Sequence, residues 1–224
     1  MIKAISRLFW VLGVGACTLV SAAEGSPAAT NPIIYADVPD IAMIRVGGTY
    51  YMSSTTMHLS PGVPIMKSKD LANWELVNYA YDTLDDVDAL NLANGKSAYG
   101  KGSWASSIRF HNGTYYVSTF AQTTGKTYIY STKDIEKGPW EVKSFRPMLH
   151  DHSLFFDDDG RAYMISGGGR LRLVELNEDL SGLKPGGFDQ VVITNASAVA
   201  GPNVGLPAEG SQLLKVNGNY YLFN

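Results

Sequence analysis

The sequence predicts an all-β fold of radially repeated blades, and three features predict it. Glycine and tyrosine are abundant, 23 and 13 of 224 residues, a composition suited to short strands and tight turns. One phrase, a short strand, a glycine turn and a tyrosine-opened strand, recurs at intervals of roughly 50 to 65 residues. No stretch carries the run of about ten or more helical-period residues that alternating βα units place between strands.

Composition sets outer limits. Hydrophobic residues make up 45% of the chain and charged residues 17%, which supplies a core and excludes disorder. A formal net charge of −3 gives no electrostatic ground for nucleic acid or an anionic membrane surface, and no stable protein partner is implied.

Residues 1–23 read as a segment apart. Lys3 and Arg7 precede an apolar run over 8–20, and Ser21, Ala22 and Ala23 follow. That is the layout of a secretory signal peptide cleaved after Ala23, with an apolar run too short to span a bilayer comfortably. Val14-Gly15-Ala16-Cys17 also resembles a bacterial lipoprotein signal, in which Cys17 becomes the lipidated first residue. Both routes lead out of the cytoplasm, to a periplasmic or extracellular place, lipid-anchored in the second case. Cleavage after Ala23 removes Cys17, the one cysteine, and leaves no disulfide. Residues 24–30 read as a short linker and 31–224 as the N-terminal part of a propeller domain.

The repeated phrase appears first as a strand over 41–46, the turn Gly47-Gly48 and a strand over 49–54. The second copy has strands over 106–110 and 114–118 around Asn112-Gly113. The third has strands over 153–156 and 161–165 around Asp157-Asp158-Asp159-Gly160, whose acids read as solvated turn residues. The fourth has strands over 211–216 and 219–223 around Asn217-Gly218. Asn-Gly and Asp-Gly are strong two-residue hairpin signals because both residues tolerate positive φ. Between copies, 64–74 and 128–135 read as outer strands. Trp74 and Trp140 close those phrases and are expected to pack in the core.

Counting four residues back from Ile44, Ile108, Phe155 and Leu213 lands on Asp40, Trp104, Asp151 and Glu209. Equivalent inner strands of a propeller begin around its axis at one end. Three acids and an indole spread over the chain are therefore expected to meet in one pocket. A lone turn-adjacent acid usually faces water, and the repeated register sets these three apart.

These residues carry a family resemblance. Asn31-Pro32-Ile33-Ile34 through Asp37-Val38-Pro39-Asp40 to Arg45-Val46-Gly47 resembles the opening of glycoside hydrolase family 43. These are five-bladed β-propeller enzymes acting on arabinose- and xylose-containing polysaccharides. The resemblance implies Asp40 as catalytic base. His150-Asp151 with Leu154-Phe155-Phe156-Asp157 carries the family's second aspartate onto Asp151, which tunes the acid and helps orient substrate. Ala208-Glu209-Gly210-Ser211 corresponds to the segment bearing the general acid, Glu209. Gly102-Ser103-Trp104-Ala105 resembles the tryptophan–alanine stretch that opens the second blade. Two departures stand out: Ile41-Ala42 replaces the proline–serine usual after the base, and His152 stands where proline is common. Thr55 to Gly62 looks most like exo-acting xylosidase and arabinofuranosidase members.

The implied reaction is inverting hydrolysis that releases xylose or arabinose from xylan- or arabinan-derived oligosaccharides. Asp40 deprotonates water on one face of the sugar while Glu209 protonates the departing oxygen on the other, and Asp151 keeps that acid protonated. Such a pair stands about 6.5–9.5 Å apart, against about 5–5.5 Å for retention. Trp104 is a candidate for stacking on substrate, with core packing as the alternative, and His58 for lining the pocket. His150 and His152 flank Asp151 and read either as carboxylate partners or as a weak metal signal. The chemistry needs no cofactor. The family implies a structural calcium near the axis, for which the sequence assigns no ligands.

Five blades at these intervals need about 280 to 320 residues, so the chain is expected to cover three blades and the start of a fourth. Rival readings are an endo-acting arabinan hydrolase, a retaining glycosidase of the same fold, a non-catalytic sugar-binding propeller and a purely structural repeat. The acid register argues against the last two.

Overall fold

The computed structural model describes residues 29–203 and 205–224. The segment read as an export signal, with Cys17, and most of the segment read as a linker lie outside the described residues. The described chain is all-β, as expected. It forms three four-stranded antiparallel meanders and a two-stranded hairpin, which are three blades and the opening of a fourth of a five-bladed β-propeller.

The first sheet runs β1 (Ala42–Val46), β2 (Thr49–Ser53), β3 (Gly62–Ser68) and β4 (Glu75–Tyr81). The second runs β5 (Ser103–His111), β6 (Thr114–Ala121), β7 (Lys126–Thr132) and β8 (Glu141–Phe145). The third runs β9 (Ser153–Phe156), β10 (Ala162–Ser166), β11 (Leu171–Glu175) and β12 (Asp189–Ile193). The hairpin is β13 (Gln212–Val216) and β14 (Asn219–Phe223). A five-residue 3₁₀ turn, Ala196–Ala200, is the one helical element among the described residues. All four sequence-read hairpins are present, and at the two-residue turns the closing pairs are Val46↔Thr49, His111↔Thr114 and Val216↔Asn219.

The first strands contact one another in chain order, β1 with β5, β5 with β9 and β9 with β13, so they surround a common axis. The hydrophobic cores lie between the sheets. Ile65, Ile108 and Val117 fill the first interface, Ile129, Leu154 and Met164 the second, and Phe155, Ile165 and Leu213 the third. β10 is buried along its whole length, as a strand covered on both faces must be.

The hub is polar. The blades taper toward the axis, and only small side chains fit where strands crowd. Ser53, Ser103, Ser106, Ser107, Ser118 and Ser153 are buried there. Their hydroxyls tie blade to blade: Ser106 donates to Ser53 at 2.8 Å, and Ser107 accepts the Leu154 N–H at 3.1 Å. At Gly102 an added Cβ would overlap the Met57 carbonyl, so the second blade's entry needs glycine.

Two expectations need correction. Asp157 is not a solvated turn residue. It is 8% exposed and accepts from Lys215 Nζ and the Tyr220 hydroxyl, each at 2.5 Å, across the third interface. Burial alone would push its carboxyl up, but these donors outweigh it and bring the pKa down to about 2. Lys215 reaches it because β13 packs against β9, a pairing with no local trace in the sequence. Trp74 is only half-buried, its Nε1 donating to the Leu71 carbonyl of its own loop. Trp140 packs against the first core, as expected.

Candidate active site

Each acid sits just ahead of the first strand of its blade. Asp40 and Asp151 stand two residues before β1 and β9, both with left-handed backbone, φ 52° and 44°. In the fourth hairpin the same position is Gly210, φ 70°, and Glu209 comes one residue earlier. Aspartate tolerates this region better than most residues, and glycine tolerates it without cost.

Backbone bonds pin each segment. The Thr55 N–H donates to the Pro39 carbonyl at 3.1 Å, and the Gly167 N–H to the His150 carbonyl at 2.9 Å. The Gly169 N–H donates to the Ala208 carbonyl at 2.7 Å, while Ser197 Oγ accepts the Ala208 N–H at 2.8 Å. The loop after the second strand of blades one and three thus clamps the acid that precedes the first, and blade three's loop also clamps Glu209.

Two of the four residues in the predicted register, Asp151 and Glu209, form one constellation with His150. Ligand atoms of His150, Asp151 and Glu209 all lie within 4.8 Å of one another. His150 Nε2 is 3.0 Å from Glu209 Oε2 and 4.0 Å from Asp151 Oδ1. Asp40 belongs to the same field. Its carboxyl is held above the ordinary range by partial burial and then by the charge of Glu209. Asp151 is also raised, by burial first and by the charges of Glu209 and Asp40, with His150 opposing.

Trp104 lies alongside. It is half-buried, its Nε1 donates to the Gly100 carbonyl at 3.0 Å, and its ring stands edge-on to Phe120 and His150, centroids 6.0 and 6.4 Å apart. His58 is exposed and stacks on Tyr99 with centroids 4.1 Å apart. It lines an open cavity of about 810 Å³ that starts at Pro39 and Thr55, beside Asp40, and extends to Pro61 and Tyr79. Tyr99 escaped the sequence reading because its loop, between β4 and β5, has no repeat counterpart.

The two histidines flanking Asp151 part company. His152 is buried, donates from Nδ1 to the Leu149 carbonyl at 2.8 Å and accepts from the Ser118 hydroxyl at 2.9 Å. Burial pushes its pKa down to about 4, so it is neutral and structural. His150 faces the acids. One imidazole nitrogen and two carboxylates supply only part of the about six to eight ligands calcium takes.

Acids converging at one end of a propeller axis, with an imidazole bound to one of them, define a carboxylate-centred propeller site. The chain belongs to glycosyl hydrolases family 43, whose profile matches residues 29–224. The beta-xylosidase of Formosa agariphila is 31% identical over 218 residues, covering 89% of this chain and 34% of that protein. The bifunctional GH43-CE structure from Bacteroides eggerthii superposes with TM-score 0.84 at 68% identity, over 88% of this chain and 25% of that one. An engineered GH43 glycoside hydrolase described as displaying both endo-xylanase and exo-arabinofuranosidase activity superposes with TM-score 0.73 at 28% identity, over 86% of this chain and 37% of its own. The chain spans about a third of the length of most of the curated relatives it matches.

Proposed function

We propose that the protein is an exo-acting glycosidase releasing xylose or arabinose from xylan- or arabinan-derived oligosaccharides with inversion. Asp40 acts as general base, Glu209 as general acid and Asp151 as the carboxylate that orients substrate beside that acid. One observation carries this reading: Asp151 and Glu209, from different blades, bring carboxyl oxygens within 4.8 Å of each other, and Asp40 stands at the equivalent entry two residues before β1. A neutral sugar can be held without ionised carboxylates, so a binding module gives this convergence no task. Family membership and the xylosidase relative support the substrate class. Trp104 and the His58–Tyr99 stack are assigned to the walls around the sugar.

In the reaction, the water oxygen bonds to the anomeric carbon as the bond to the leaving oxygen breaks. Asp40 takes the water proton, and Glu209 gives its proton to the leaving oxygen. Glu209→Gln in the full-length protein is expected to lower kcat on xylobiose or arabino-oligosaccharides by about 10²- to 10⁴-fold, with aryl glycosides of good leaving group affected far less. Full activity of Glu209→Gln on the unactivated sugars would refute the assignment. An endo-acting reading has support from the engineered relative with endo-xylanase activity and from the open cavity beside Asp40. Internal cleavage of long chains, without early release of single sugars, would favour it.

A further inference from the structure

The proposed chemistry gives work to three carboxyls and none to the imidazole that touches one of them. His150 precedes Asp151 at the entry to β9, and its Nε2 approaches Oε2 of Glu209 to 3.0 Å. Two aromatic rings flank the imidazole. Phe120 stands edge-on to it at 5.3 Å and Trp104 edge-on at 6.4 Å, and its backbone carbonyl is bonded to Gly167. The nitrogen is therefore in place before any substrate arrives.

A protonated carboxyl has one O–H and one acceptor oxygen. Unless one oxygen is engaged, the proton can sit on either and the group can turn. An N–H on Nε2 donates to Oε2, which confines the acid proton to Oε1. Nδ1 has no hydrogen-bond partner among the described residues, so nothing there opposes the tautomer with the proton on Nε2. Gly168 also neighbours Glu209: a Cβ added there would lie 3.4 Å from Oε2 and 3.3 Å from Pro207 Cγ.

We propose that His150 is the positioning residue for the general acid, a role that rests on the reading of Glu209 given above. Its Nε2–H holds Oε2 and aims the Oε1 proton at the departing oxygen. As that proton transfers and the C–O bond breaks, negative charge grows on Glu209 and the hydrogen bond becomes charge-assisted, so it strengthens as the transition state is approached. His150 keeps its own proton throughout.

The test compares two substrates of the full-length protein: the disaccharide it cleaves, xylobiose or arabinobiose, and the matching dinitrophenyl glycoside, which needs little protonation. His150→Phe is expected to lower kcat on the disaccharide about 10- to 100-fold with KM little changed, and to lower the aryl glycoside rate much less. His150→Gln, which restores an N–H donor, is expected to recover most of the loss. Equal losses on both substrates with no recovery by Gln, or no loss on the disaccharide, would overturn the role of His150. Glu209→Gln run beside them separates the two claims. A selective loss there without one in His150→Phe sinks this inference alone, and no selective loss in Glu209→Gln sinks the acid assignment and this inference with it.

Discussion

Asp40 and Asp151 combine two costs, a left-handed backbone and a carboxyl raised above its ordinary pKa. For Asp151 the causes are burial first, with His150 opposing, then the charges of Glu209 and Asp40. A folded pKa above the unfolded value means that the folded state binds the proton more readily. The stability contribution of Asp151 is therefore full below the ordinary carboxylate range and is lost as pH rises through its folded pKa. Asn fits left-handed backbone at least as well as Asp and carries no charge. Asp151→Asn is expected to raise the thermal midpoint at pH 7 and to lose that advantage below about pH 4, while activity falls. Thermal scans at the two pH values read it directly, and a lower midpoint at pH 7 would show that the charge stabilises the fold.

At the scale of elements, the entry to each first strand decides where the acids point. The left-handed residue stands two positions before β1, β9 and β13, and it is Asp, Asp and Gly in turn. Gly210→Val puts a branched side chain at φ 70° and is expected to cost about 1–2 kcal/mol, with kcat falling because Glu209 is turned away. Urea denaturation with kcat measured on the same variant tests this, and unchanged kcat would mean that the turn does not aim the acid. The hairpins were legible in the sequence because turn glycines and tyrosine-opened strands are local signals. β8 and β12 were not, because their residues are largely exposed and show no alternation of polar and apolar positions. The four-residue count found the acids because it starts from buried core positions such as Ile108, Phe155 and Leu213. It did not find the shape of the entries, since Trp104 lies inside β5 and Glu209 stands one residue further out than the aspartates. Nor did it separate His150 from His152, whose opposite directions depend on the left-handed Asp151 between them.

In the molecule as a whole, the cores lie between blades and the small polar residues line the hub, so each acid is placed by its neighbours' packing as well as by its own strand. Carboxylates fasten these interfaces further out. Glu136 accepts from Tyr51 at 2.9 Å and from Lys67 at 2.7 Å across the first, and Asp157 does the same for Lys215 and Tyr220 across the third. Ionised carboxylates clamp the outer contacts while Asp40 and Asp151 at the axis are held up in pKa, a division that separates holding the ring from the chemistry proposed at its mouth. The central claim is that Asp40 and Glu209 act on opposite faces of the sugar. Proton NMR of the full-length protein, recorded within the first minutes of cleaving a substrate of known configuration, reads the first-formed anomer before mutarotation blurs it. The inverted anomer is the predicted result, and a first product of retained configuration would contradict the account.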